Sequence, residues 1–209
     1  KNADMLVVVQ PLKAAEITSM KSGAIVVGLL GGLSDAALIK KFASKKISAF
    51  SMEMVPRITR AQSMDVLSSQ SNLAGYRAVI DGVAEFGRAI PMMMTAAGRI
   101  NPANVLVLGA GVTGLQAIAT AKRLGAVVSA FDVRPVAREQ VESLGASFVE
   151  VVSEETESAE TSGGYAKEMS EDYKNKQSQL IHDTLKKQDI VICTALIPGR
   201  PAPLLIPEK

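Results

Sequence analysis

Gly109, Gly111 and Gly114 stand in VLVLGAGVTGLQAIATAKRLGAVVSAFDVRP, and their surroundings constrain the fold more than their spacing does. The β-branched run Val105 to Leu108 leads directly into the first glycine, and an alanine- and leucine-rich stretch follows the third. That order predicts strand, tight turn and helix. A second strand then ends at Asp132, eighteen residues beyond Gly114. The three glycines serve different physical ends. Gly109 permits the turn, Gly111 lets the backbone on either side of it, Ala110 and Val112, approach a pyrophosphate, and Gly114 lets the helix pack closely on the sheet. The helix N-terminus adds unpaired N–H groups and a partial positive charge. A glycine-rich turn that binds nothing is the plain alternative, and the four aligned features favour a dinucleotide site over it.

Asp132 favours NAD over NADP, because its carboxylate accepts hydrogen bonds from a ribose diol and repels a 2′-phosphate. The residues that follow, Val133 and Arg134, belong to the same candidate site. Arg134 keeps the choice open, since an arginine there could meet a 2′-phosphate, stack on adenine or pair with a nearby acid.

Strand and helix signals alternate through the rest of the chain, which predicts α/β layers with parallel sheets. MLVVV (Met5 to Val9), AIVVGLL (Ala24 to Leu30) and ISAFSM (Ile47 to Met52) read as strands. Leu12 to Lys21 reads as a crossover helix, and Ser34-Asp35 as the cap of a helix running to about Ser44. A long helix is expected over about Ser71 to Ile90, with Leu73, Tyr76, Ile80, Val83, Gly87 and Ile90 as its stripe. Met92, Met93 and Met94 are expected to pack as flexible thioethers. AAGRINPAN, Ala96 to Asn104, reads as a turn-rich linker, dividing the chain into 1–95 and 96–209. Beyond Asp132 come a helix near Arg138 to Leu144, a strand near Ser147 to Val151, a helix from about Glu171 to Lys187 and the strand DIVICTA. The expectation is two doubly wound, Rossmann-like parallel-sheet domains joined by a long helix. Both are expected to be incomplete, because such a sheet usually has about six strands and the chain starts without a methionine and stops just after a strand.

Composition excludes more than it identifies. Hydrophobic residues make up 47% and charged residues 21%, and the net charge is +2, so disorder and a nucleic-acid-binding surface are both disfavoured. The lone Cys193 and lone His182 form no metal-ligand spacing, and Cys193 is expected in the core. The apolar run Gly23 to Leu33 is too short to cross a bilayer, which takes about 20 helical residues.

PRITRAQSMDVLSSQ, Pro56 to Gln70, is an oddly polar interruption before the long helix. Read alone, Arg57 and Asp65 form a surface ion pair of little energetic weight and Gln62 is a solvated cap residue.

Long blocks of this sequence resemble a known family. MEMVPRITRAQSMDVLSSQSNLAGYRAVIDG, MMMTAAG, GLQAIATAKRLGA, EQVESLGA, GGYAKEM and TALIPGRPAP are similar to the NAD(H)-binding domain I, or alpha subunit, of proton-translocating NAD(P) transhydrogenases, relatives of alanine dehydrogenase. The resemblance implies that Arg57, Gln62 and Asp65 form a loop beside the nicotinamide, Gln62 bonding its ribose while Arg57 and Asp65 hold each other. It implies further contacts from Ser68 and from the loop after the last strand, Thr194, Ala195 and Leu196 onward to Pro198. A mobile lid carrying Gly164 and Tyr165 would close over the site. The segment Val152 to Met169, rich in Glu, Ser, Thr and Gly, suits a lid or an ordinary acidic connection equally well by composition.

The family's reaction passes a hydride from NADH held on this component to NADP⁺ on a partner domain, so no general acid or base is required. Positioning is: two C4 atoms must meet at about 3 to 3.5 Å with water excluded. The resemblance also implies a homodimer, a separate membrane component that moves protons, and a peripheral position on the cytoplasmic face of a bacterial inner membrane or the matrix face of an organelle membrane. Two rivals remain. An alanine dehydrogenase-like enzyme needs proton-transfer groups, and the only histidine, His182, lies on a predicted helix far along the chain. A catalytically silent NAD-binding module would leave Arg57, Gln62 and Asp65 unexplained.

Overall fold

The structure, a computed structural model, describes residues 2–31, 35–151, 170–197 and 201–207. It is an α/β protein of two compact units, Lys1–Gln70 and Ser71–Lys209. The first unit carries three parallel strands in the order β1-β2-β3: β1 (Met5–Val8), β2 (Ile25–Gly28) and β3 (Ser48–Ser51). Helices α1 (Ala14–Ser19) and α2 (Ala36–Ser44) form the crossovers, and α2 starts where Asp35 accepts the Leu38 N–H at 2.9 Å. Ile17, Val26, Leu30, Leu38, Phe42 and Ile47 close the core on one face, with Leu6 and Val8 packed against it. Alternation along the strands sends Met5, Val7 and Phe50 to the other face, where they are exposed.

The second unit contains the four-stranded parallel sheet β8-β7-β6-β9. Its strands are β6 (Asn104–Leu108), β7 (Val127–Phe131), β8 (Ser147–Val149) and β9 (Ile190–Cys193). Central β6 is buried on both sides, which is why its apolar run is continuous. Val105 and Val107 face Ile118 and Ala121 of α4 (Val112–Arg123) and Val141 of α5 (Val136–Ser143). Leu106 and Leu108 face Tyr173 and Ile181 of α6 (Glu171–Leu185), whose Ser170 cap accepts the Tyr173 N–H. Helices therefore cover both faces. The chain steps outward from β6 to β7 and β8 and then returns to pair β9 on the other side of β6, so the order reverses between β6 and β9. Ligands of such sheets bind at the carboxyl ends of the strands where the order reverses.

The long helix α3 (Val66–Phe86) starts and ends earlier than its apolar stripe predicts. Its packed face agrees with the stripe only in part: Val83 packs on the core and Ile90, just past the helix, is buried, but Leu73 and Tyr76 are exposed while Gly75 and Val79 are buried. The physical reason is close approach. A Cβ on Gly75 would lie 2.1 Å from the Thr113 carbonyl oxygen, and one on Gly82 3.2 Å from Ile190, so glycines set the close points of this interface while Val79, Val83 and Phe86 pack beside them. From Ser71 onward the helix belongs to the second unit, and the division falls at Gln70 rather than near Ala96. The expected linker is instead a hairpin, β4 (Met93–Thr95) with β5 (Gly98–Ile100), on which Met92, Met93 and Met94 are exposed rather than packed. Cys193 is likewise exposed, at the end of β9.

Candidate functional site

In the second unit the glycine turn is built by mutual exclusion of side chains. Gly109 has φ +101°, a conformation other residues rarely adopt, and a Cβ on it would lie 2.8 Å from the Ala195 nitrogen. A Cβ on Gly114 would lie 1.8 Å from the Gly109 carbonyl oxygen, so the first turn of α4 can sit against the strand end only without one. Around Gly111 the corresponding space is open. The first bond internal to α4 runs from the Leu115 N–H to the Gly111 oxygen at 2.8 Å, leaving the amides of Val112, Thr113 and Gly114 ahead of any helical acceptor. A backbone that can be approached at Gly111, directly before a helix N-terminus, fits a pyrophosphate.

The loop after β9 meets this turn. Thr194 donates its backbone N–H to the Leu108 oxygen at 2.8 Å and its hydroxyl to the Gly109 oxygen at 2.7 Å, so it clamps the carbonyl that crowds Gly114. Ala195 lies against Gly109, and Leu196 is exposed. Thr194 is therefore a clamp on the turn, a role its position after a strand does not signal.

Asp132 closes the other side of the turn. Its Oδ2 accepts the Ala110 N–H at 2.7 Å, so that amide is committed within the protein and is not offered to a phosphate. Arg134 pairs with Asp132, and the two side chains are 15% and 9% exposed, so the nearby acid is the partner the arginine has in this structure. Val133 packs against the α6 side of the core.

In the first unit the polar segment forms a cleft of its own. A short turn (Met52–Met54) and a second, tighter than an α-helix (Thr59–Met64), lead into α3, and buried Ala61 anchors the second. Pro56, Arg57, Ile58, Thr59, Ala61, Gln62, Asp65 and Ser68 line a cleft of ≈ 400 Å³. All four loop residues singled out in the sequence thus come together. Asp65 caps α3: its Oδ1 accepts the Ser68 N–H at 2.9 Å and its Oδ2 the Ser68 hydroxyl at 2.6 Å. The Ser68 hydroxyl, its N–H and then the charge of Arg57 hold the Asp65 carboxyl below its ordinary value. Asp65 and Arg57 do interact, but Ser68 is the stronger partner. Gln62 is exposed at the cleft and carries no charge. Gly164 and Tyr165, with the whole lid segment, lie outside the described residues. Among those residues no His, Cys, Asp and Glu cluster could hold a metal, and no helix is long and apolar enough to cross a membrane.

Comparison with known proteins adds the following. The alanine dehydrogenase/PNT C-terminal domain matches residues 78–209, and the N-terminal domain of the same name matches residues 1–74. An NAD(P) transhydrogenase subunit alpha protein of Rhodospirillum rubrum is 60% identical over 194 residues, covering 93% of this chain and 50% of that protein. A crystal structure of transhydrogenase from Sinorhizobium meliloti superposes with a TM-score of 0.81 at 51% identity, covering 98% of this chain and 54% of that one. An L-alanine dehydrogenase structure shares the fold at a TM-score of 0.72 and 23% identity, covering 99% of this chain and 51% of that one. The chain spans about half the length of the curated relatives it matches.

Proposed function

The chain belongs to the alanine dehydrogenase/PNT family, and from that premise we propose that it is the NAD(H)-binding part of a transhydrogenase. The glycine turn and Asp132 of the second unit hold the pyrophosphate and adenosine ribose. The loop from Arg57 to Ser68 holds the nicotinamide end, which supplies or accepts the hydride when bound. The other nucleotide, NADP(H), sits on a partner domain, and a separate membrane component couples the exchange to proton movement. A homodimer, peripheral on the cytoplasmic or matrix face of the membrane, completes the reading, with Gly164 and Tyr165 on a closing lid.

The observation that carries this proposal is the composition of the 56–68 cleft. Hydride exchange between two nicotinamides needs orientation and dryness rather than proton transfer. Gln62 offers a neutral amide that can fix a ribose or carboxamide without attacking it. Asp65 is spent on Ser68 and on the cap of α3, and its lowered pKa keeps it ionised and unsuited to donating a proton near neutrality. A cleft of this composition supports orientation rather than proton donation.

Mixing the intact protein with the NADP(H)-binding partner should give hydride exchange between NADH and an NADP analogue. Oxidation of NADH by pyruvate and ammonia without the partner would instead establish an amino-acid dehydrogenase. A protein that binds NADH and does neither would be a silent module.

A further inference from the structure

The Asp132 carboxylate is saturated by the protein. Its Oδ1 accepts the Arg134 backbone N–H at 2.9 Å and the Arg134 Nε at 3.0 Å. Its Oδ2 accepts the Ala110 N–H at 2.7 Å and the Arg134 Nη2 at 3.0 Å. An ionised carboxylate offers about four lone-pair sites, so four donors fill it. Two of these donors are backbone groups fixed by the glycine turn and by the local Asp132–Arg134 turn. The other two are the parallel N–H groups of one guanidinium, carried on rotatable bonds.

A ribose diol also brings two hydroxyl donors. The diol and the guanidinium fork cannot both be held by the same carboxylate, and the backbone donors have no freedom to leave. We propose that Arg134 is a built-in competitor for the nucleotide: its guanidinium occupies the two acceptor positions of Asp132 that the adenosine ribose diol takes, and binding requires the arginine to swing away. Because both side chains are largely buried, parting them is costlier than parting a surface ion pair, and that rupture subtracts from nucleotide affinity. The same pairing neutralises the carboxylate and so softens its repulsion of a 2′-phosphate. Arg134 thereby lowers both the affinity for NADH and the margin by which NADH is preferred over NADPH. This inference rests on the NAD(H)-binding reading above.

Calorimetric titration of the intact protein and of Arg134→Met separates the outcomes, with NADH, NADPH and an NAD analogue bearing 2′-deoxyribose on adenosine as probes. Methionine keeps the apolar stem and removes the fork. The variant should bind NADH about fivefold tighter, the scale of one net hydrogen bond no longer given up on binding, because the diol's own bonds to Asp132 replace most of what the fork loses. Its preference for NADH over NADPH should widen, and the gain should largely vanish for the deoxy analogue, which a merely structural effect would not do. Equal or weaker NADH binding by a variant with an unchanged melting curve overturns the proposal and makes Arg134 a nucleotide contact. Should Arg134→Met fail to fold, Arg134→Lys, which retains the charge without the fork, should show a smaller gain, and no gain overturns the proposal equally. If the unaltered protein binds neither nucleotide, the NAD(H) reading itself falls, a result distinct from binding without gain.

Discussion

The glycine turn and the 56–68 cleft are made in opposite ways. At the turn, the geometry depends on what is missing: Gly109 and Gly114 admit no Cβ, and a Cβ on Gly111 would meet nothing. At the cleft, the proposed role rests on side chains, because Gln62, Asp65 and Ser68 are presented by short turns that many sequences could adopt. A backbone device tolerates no substitution at its crowded points, whereas a side-chain device can lose its chemistry while keeping its fold. Substitutions in the two regions should therefore fail differently.

The largest expected effect is at the turn. Gly114→Ala places a methyl group 1.8 Å from the Gly109 oxygen, a carbonyl already held by the Thr194 hydroxyl and unable to retreat. Overpacking against backbone should cost about 3 kcal/mol of stability, and NADH affinity should fall at least about 100-fold. Urea unfolding with calorimetric titration measures both, and a stable variant that binds normally would end the comparison. Next comes the cleft. Gln62→Ala should leave the melting curve unchanged and NADH affinity within about threefold, while hydride exchange slows by about 100-fold, the scale of misplacing a reacting group by about 1 Å. A parallel loss of affinity and rate would make Gln62 a binding residue, and an unchanged rate would remove it from the site.

The same contrast governs what is legible in the sequence. Strand, turn, helix and Asp132 are readable by spacing because each is fixed by a backbone requirement. The strands of the first unit are readable from their β-branched runs, with ends displaced by a residue or two. The face of α3 is legible only in part: hydrophobic periodicity finds Val83 and Ile90 but also points to Leu73 and Tyr76, which are exposed, because the close points are Gly75 and Gly82, seven residues apart. The Met92–Met94 run misleads because a hairpin with a two-residue turn holds these side chains out in solvent. Gln62 and Asp65 have no spacing rule, since an amide and a cap carboxylate look the same on any surface turn, and only resemblance singles them out.

Asp132 tests the boundary between the two kinds of device, being a side chain that completes a backbone turn through the Ala110 N–H. Asp132→Asn keeps the shape and removes the charge. NADH should bind about tenfold more weakly, from the loss of charge-assisted bonds, while NADPH loses less, so the preference narrows. Equal losses for both nucleotides would mean that Asp132 only supports the turn and does not read the ribose.

The smallest effect concerns Ser68, and it asks whether the cleft carboxylate is tuned by its neighbour or merely placed by the helix start. Asp65 is held below its ordinary value chiefly by the Ser68 hydroxyl, then by the Ser68 N–H, with Arg57 contributing less. A carboxyl lowered on folding stabilises the protein above its unfolded value, and that contribution is lost as pH falls through the folded value. Ser68→Ala removes the first cause and spares the backbone bond, so the Asp65 carboxyl should titrate at higher pH by NMR without returning fully to normal. The acid limb of the stability curve should begin correspondingly earlier on descent in pH. Ser69→Ala, whose hydroxyl is donated to the Val66 carbonyl instead, should leave the Asp65 titration in place. If both variants shift it alike, the tuning comes from the helix end as a whole, and the cleft is closer in kind to the glycine turn than its side chains suggest.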